Sequence, residues 1–249
     1  MHVSDNLYLG GFGNSGITLG KTASADPTLN QGAGPAGRIF FLNIVPVTAG
    51  STNLATHQHT TGSTPLTLTA GSGVTLATAP DGSGRTVYQF DVERSVSLAS
   101  PDNLSGMNFT VSGFDFYGTP MTQTRAGPNA NTVNTLKPFY QVLSITPSAT
   151  DGTHTVTAGQ ADIFGFPFAI SDAGYIMPKW NNTLAQDAGT FVVADATSPA
   201  TASTGGVRGT YAPSSASDGT KRLVVWMHLT AGQVGSSATQ TNLLGVTQA

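Results

Sequence analysis

Apolar and polar residues alternate along much of this chain in short runs, separated by Gly, Pro, Asn and Asp. Period-two alternation puts successive side chains on opposite faces of a strand, so the pattern predicts β-structure. The strongest run, residues 38–47 (RIFFLNIVPV), is almost continuously apolar, as a strand covered on both faces would be. Pro46 should mark its end. Residues 65–69 and 74–78 alternate on either side of Ala70-Gly71-Ser72-Gly73 and predict a hairpin. A second turn, Asp81-Gly82-Ser83-Gly84, leads into a strand over 85–92. Further strands are expected at 95–99, 107–118, 122–125, 163–170, 190–195 and 222–229. Residues 139–146 and 154–158 should pair across Asp151-Gly152. Only 182–189 reads as helix, and it is short. Residues 56–64 (THQHTTGST) and the Ser/Thr/Gly-rich stretch 197–220 read as loops, the second of them a long surface loop.

Strands at this spacing predict an all-β fold, a jelly-roll-like sandwich or barrel with long loops. Residues 1–37 are rich in Gly and poor in periodic apolar residues. Such a segment buries little surface alone, which predicts a tail or an extended N-terminal arm ordered by a neighbour. The expected division is arm 1–37, β domain 38–230 and C-terminal tail 231–249. Leu7 and Tyr8 are the interface candidates within the arm.

Composition sharpens the picture. Only 9% of the residues are charged, against about 25% in an average soluble chain. Glu93 is the sole Glu, and the chain has no Cys, 30 Gly and 14 Pro. Without Cys there are no disulfides, zinc-thiolate sites or thiol nucleophiles. Net charge is -3 and no Lys/Arg run exists, so no nucleic-acid footprint is expected. No apolar run approaches the roughly 18 residues that span a bilayer, and no membrane partner is expected. The first residues lack a basic segment followed by an apolar one, so no secretory signal is expected.

Few residues carry candidate chemistry. His57 and His59 stand at i and i+2 and share a face if the segment is a strand, making them weak metal candidates. Two polar residues on a loop explain them as well. Asp91 with Glu93, or Asp115 with a distant Asp, would be the carboxylate pairs for acid/base work; a solvated strand end accounts for the first pair better. Asp81 and Asp218 each bring one acidic residue to a turn, too few for the usual calcium set. No phosphate-binding or nucleophile-elbow motif occurs. No enzymatic activity and no cofactor are expected. Trp180 and Asn181 are candidates for glycan recognition, through ring stacking and amide hydrogen bonds. Arg208, set among glycines, is a candidate bidentate anchor for a carboxylate across an interface.

Three stretches share a style rich in Gly, Ser or Ala. They are 32–37 (GAGPAG) leading into Arg38-Ile39, 205–211 (GGVRGTY) and 214–223 (SSASDGTKRL). Together they resemble structural proteins of tailed-bacteriophage virions, in the class of capsid decoration (cement) and jelly-roll head proteins. The resemblance covers a small part of the chain. It implies a homo-oligomer, a trimer, on the capsid exterior, bridging neighbouring capsomers through the major capsid protein and other virion proteins. It brings no catalytic residue. The alternative is a phage tail or surface domain that binds carbohydrate through Trp180 and Asn181.

Overall fold

The computed structural model describes residues 38–197, 205–229 and 243–248, and every strand pairing in it is antiparallel. In chain order the strands are β1 (Arg38–Ile44), β2 (Gly50–Thr60), β3 (Val74–Thr78), β4 (Thr86–Ala99), β5 (Asn108–Phe114), β6 (Pro120–Ala126), β7 (Thr132–Pro147), β8 (Asp151–Gly165), β9 (Ile176–Trp180), β10 (Thr190–Val192), β11 (Thr210–Ala212) and β12 (Leu223–Leu229). The chain is therefore all-β, as the alternation predicts. A curled sheet runs β10-β11-β8-β4-β7-β5-β6, with β2 added on β8 and β3 on β4. A second sheet has the order β9-β12-β1.

β4 organises the large sheet. Its first half lies between β3 and β7, and its second half between β7 and β8. The expected hairpin of β7 with β8 does not form, because β4 lies between them; Leu98 pairs with Ala158 on one side and Val133 on the other. The hairpin expected at 65–78 also differs. β3 pairs with β4 across Asp81–Gly84, while 65–69 forms no strand. Leu66 and Leu68 are nevertheless buried, and Thr69 N–H donates to the Leu54 carbonyl.

The polar sequence of β2 predicts loop, and the structure differs. The segment is held by β8 through a ladder with three register shifts, and it buries Leu54, Ala55 and Thr60. A side chain on Gly159 would lie 1.7 Å from the Gly50 carbonyl oxygen, so only glycine allows the two strands to approach this closely. No helix forms at 182–189. Asn181 and Asn182 adopt left-handed conformations (φ 55 and 57), and Leu184 is left in solvent. An apolar side chain with nothing to pack on gives a short helix no support. Among the described residues no helix is long and apolar enough to cross a membrane.

Two main apolar clusters result. The larger sits inside the curled sheet, around Leu54, Phe90, Val96, Phe109, Phe139, Val142 and Val156. The second joins the two sheets: Phe164, Phe166 and Tyr211 meet Ile176, Trp180, Leu223, Val225 and Met227, with Leu42 and Ile44 alongside. The C-terminal residue Leu243 packs on this second cluster. Residues 205–211 are no surface loop either: Val207, Arg208, Thr210 and Tyr211 are all buried, whereas 214–216 and 218–220 are exposed as expected.

Candidate functional site

The second sheet turns one face to the interior and the other outward. Along β12 the residues Leu223, Val225, Met227 and Leu229 are buried, while Val224, Trp226 and His228 point the other way. The register places Met177, Trp226 and Phe41 side by side across the three strands. Phe41 is 61% exposed and Trp226 37%. Their rings meet edge to face, with centroids 5.5 Å apart, and Lys179 Nζ lies 5.7 Å from the centre of the Trp226 ring. Exposed aromatic residues side by side on one sheet face are a feature that protein contact surfaces share. Next along β12 on this face stands His228, beside Ile39 of β1. Both its ring nitrogens are buried without a hydrogen-bond partner among the described residues, and burial lowers its pKa.

The two edges of this sheet differ. β9 contains Pro178, which has no N–H to offer. Its outer carbonyls are taken: Asp187 N–H donates to Pro178 O (2.8 Å) and Thr183 N–H to Trp180 O (3.2 Å). β1 has no proline, and among the described residues nothing covers or pairs with its outer edge. The near-continuous apolar sequence of β1 predicts cover on both faces, yet β1 is an edge strand with Phe40 and Phe41 both exposed. Its apolar character reflects an open edge as much as a core.

Behind the second sheet is a buried charge centre. Arg208 sits on the turn before β11. Its Nη2 donates to Glu93 Oε1 (2.7 Å), Nη1 to Asp115 Oδ2 (2.9 Å) and Nε to the Phe166 carbonyl (2.9 Å). The guanidinium lies over the Tyr117 ring at 5.1 Å. Asp115 also accepts from the backbone N–H groups of Tyr117 and Thr119. Two carboxylates share one guanidinium, so the centre keeps one excess negative charge unless a proton is taken up. Burial pushes the Glu93 carboxyl up to about 7; Arg208 pulls against this rise and Asp115 adds to it. Gly209, at φ +88, lets the chain turn here against the Val192 carbonyl. Residues 244–248 close over the same centre and bound a cavity of about 220 Å³ with Asp115, Tyr117, Thr119, Val207 and Arg208.

The expected site residues fall in different places. Arg208 is buried and spends its donors within its own chain, so it is not free to anchor a partner. Trp180 is 3% exposed, packs in the second cluster and donates from Nε1 to Ser215 Oγ (2.9 Å), so no sugar can stack on its ring. Asn181 is exposed on the turn that follows. His57 and His59 are both exposed on β2, with His59 Nδ1 bonding the His154 carbonyl at 3.1 Å. Among the described residues no group of three or more His, Asp or Glu side chains is placed to hold a metal. Leu7 and Tyr8 lie outside the described residues.

The aromatic row itself is not among the residues that sequence reasoning singles out. The alternation in Leu223-Val224-Val225-Trp226-Met227 carries the signal, since an aromatic residue sits on the face opposite three buried aliphatics. Among known proteins, no family model, no curated protein and no solved structure matches this chain.

Proposed function

We propose that the chain is a structural protein of a virion: a capsid decoration protein that binds the capsid exterior and holds neighbouring capsomers together, with other copies of itself as partners. The observation that carries this reading is the pair of exposed rings Trp226 and Phe41, in register with the half-buried Met177, beside a strand edge that no described residue covers. A protein working by lasting contact needs such a surface and few ionic groups, because uncharged Thr and Ser make hydrogen bonds there without the desolvation cost of an ion. The charge-poor composition and the resemblance of the three Gly/Ser/Thr-rich stretches to phage head proteins point the same way.

The test is addition of purified chain to capsids of the parent virion that lack it. Saturable binding and a higher capsid disassembly temperature are expected, and Trp226→Lys should lose both. Wild-type chain that neither binds nor protects would overturn the reading. Carbohydrate binding is the second reading, now carried by the exposed Trp226 ring rather than by Trp180. A glycan array with the same Trp226→Lys variant separates the two.

A further inference from the structure

The unguarded edge allows a more specific inference, one that rests on the contact-surface reading above. We infer that β1 pairs with β1 of a second copy, antiparallel and edge to edge, so that two three-stranded sheets become one continuous six-stranded sheet across a twofold axis.

The backbone of β1 supplies the first reason. A seven-residue strand whose outer N–H and C=O groups meet no strand among the described residues is a template for another strand. Proteins usually blunt such an edge with proline, charge, a bulge or a covering loop. β9 shows such guards at the other side of the same sheet: Pro178, Lys179 and the covering residues Thr183 and Asp187. Among the described residues β1 has none along its length; its one charged residue, Arg38, stands at the very start. The contrast within one sheet marks β1 as the edge meant to be filled.

The sequence of β1 supplies the second reason, and it selects a second copy as the occupant. Antiparallel self-pairing with all seven residues overlapped centres on Phe41. Phe40 then faces Leu42, and Ile39 faces Asn43. Arg38 faces Ile44, so the two copies of the only charge lie at opposite ends and never meet. Like charges directly opposite would oppose pairing, and here there are none. The two Phe41 rings come together at the axis and extend each Met177–Trp226–Phe41 row into the other, covering the most exposed aromatic on the sheet. Pairing of β1 with β9 of another copy would instead meet Pro178 and carbonyls already bonded. That head-to-tail contact is disfavoured, and the contact is isologous. Such a twofold pairs chains two at a time; within a larger assembly it would join neighbouring oligomers.

The absence of cysteine makes the test direct. In full-length Phe41→Cys the two introduced thiols face each other across the axis, where opposed Cα atoms about 4.5–5.5 Å apart can be bridged. Mild oxidation should give a covalent dimer, whereas Leu76→Cys, equally exposed on β3, should give no covalent link. Native mass spectrometry of the wild type should show a concentration-dependent dimer. Phe41→Lys and Phe41→Glu should each be monomeric alone and dimeric when mixed. A monomeric wild type, equal cross-linking at positions 41 and 76, or a dimer that survives Phe41→Lys would overturn the inference. So would protection of β1 in a monomer, which would mean that the chain's own first 37 residues fill the edge. Capsid binding by a monomeric wild type would sink this pairing and leave the proposed function standing. Pairing without capsid binding would do the reverse.

Discussion

Arg94 and Arg208 are both buried, each between two carboxylates, yet they sit in different surroundings. Arg94 donates to Asp91 (3.0 Å), Asp162 (2.8 Å), the Ala161 carbonyl and, from both terminal nitrogens, the Val47 carbonyl. Its carboxylates are 17% and 18% exposed, and they have other donors: Val47 N–H for Asp91, and Ser217 N–H and Oγ for Asp162. Around Arg208 the carboxylates of Glu93 and Asp115 are only 6% and 1% exposed. The formal charge is the same at both centres. Water remains to share the excess negative charge at the first, and almost none remains at the second. Burial of the counter-ions, rather than of the arginine, decides what such a centre costs.

The largest test of that contrast is removal of each cation. Arg208→Met should destabilise the fold by about 3–5 kcal/mol in urea unfolding at pH 8, because two carboxylates are left buried without a counter-charge. Arg94→Met should cost less, since Asp91 and Asp162 can recruit water. An equal loss from both would show that counter-ion exposure does not matter here. Lowering the pH to 5 should restore part of the Arg208→Met loss by protonating the stranded carboxyls.

The pH dependence of the intact protein sharpens the comparison further. The Glu93 carboxyl titrates at about 7 in the fold against 4.5 in the open chain, so the folded state binds the proton more tightly. Between these values the contribution of Glu93 to stability rises as pH falls, with a slope of at most about 1.4 kcal/mol per pH unit. Glu93→Gln should remove that component from the stability profile, whereas Asp162→Asn should leave it in place. A profile unchanged by Glu93→Gln would mean that the excess charge resides elsewhere.

The smallest effect belongs to the exposed counterpart. Arg85 is half exposed and pairs with Asp81 within one turn. Arg85→Ala should leave the melting temperature unchanged, since solvent screens such a pair. A clear drop would mean that the turn feeding β4 depends on the ion pair.

How much of this the sequence displays depends on the range of the interaction. β4, β5 and β12 are written in local alternation and β1 in an apolar run, and their positions follow from these patterns. β2 is not, because its polar residues become strand only when β8 offers a ladder about 100 residues away. The buried stretch 205–211 is hidden for a similar reason. Arg208 lies 115 residues from Glu93 and 93 from Asp115, and nothing near it in sequence shows that it will be enclosed. The two tryptophans teach a finer point. Trp180 beside two asparagines looks like a binding residue and is core, while Trp226 among aliphatics looks like core and faces solvent. The face of the strand, not the character of the neighbours, separates them.

The placement of β4 between β7 and β8 has a consequence in time. Its flanking strands are made well after it, and the second of them is complete only at Gly165. During synthesis the central strand must wait, first with only the short β3 beside it and then with one side of its second half still open. Contacts of such long sequence separation are formed late and slowly. The rate of reaching the native state should therefore be set by the arrival of β8, and a ribosome-bound chain ending near residue 150 would present the second half of β4, with Val96 and Leu98, to whatever chaperone is at hand.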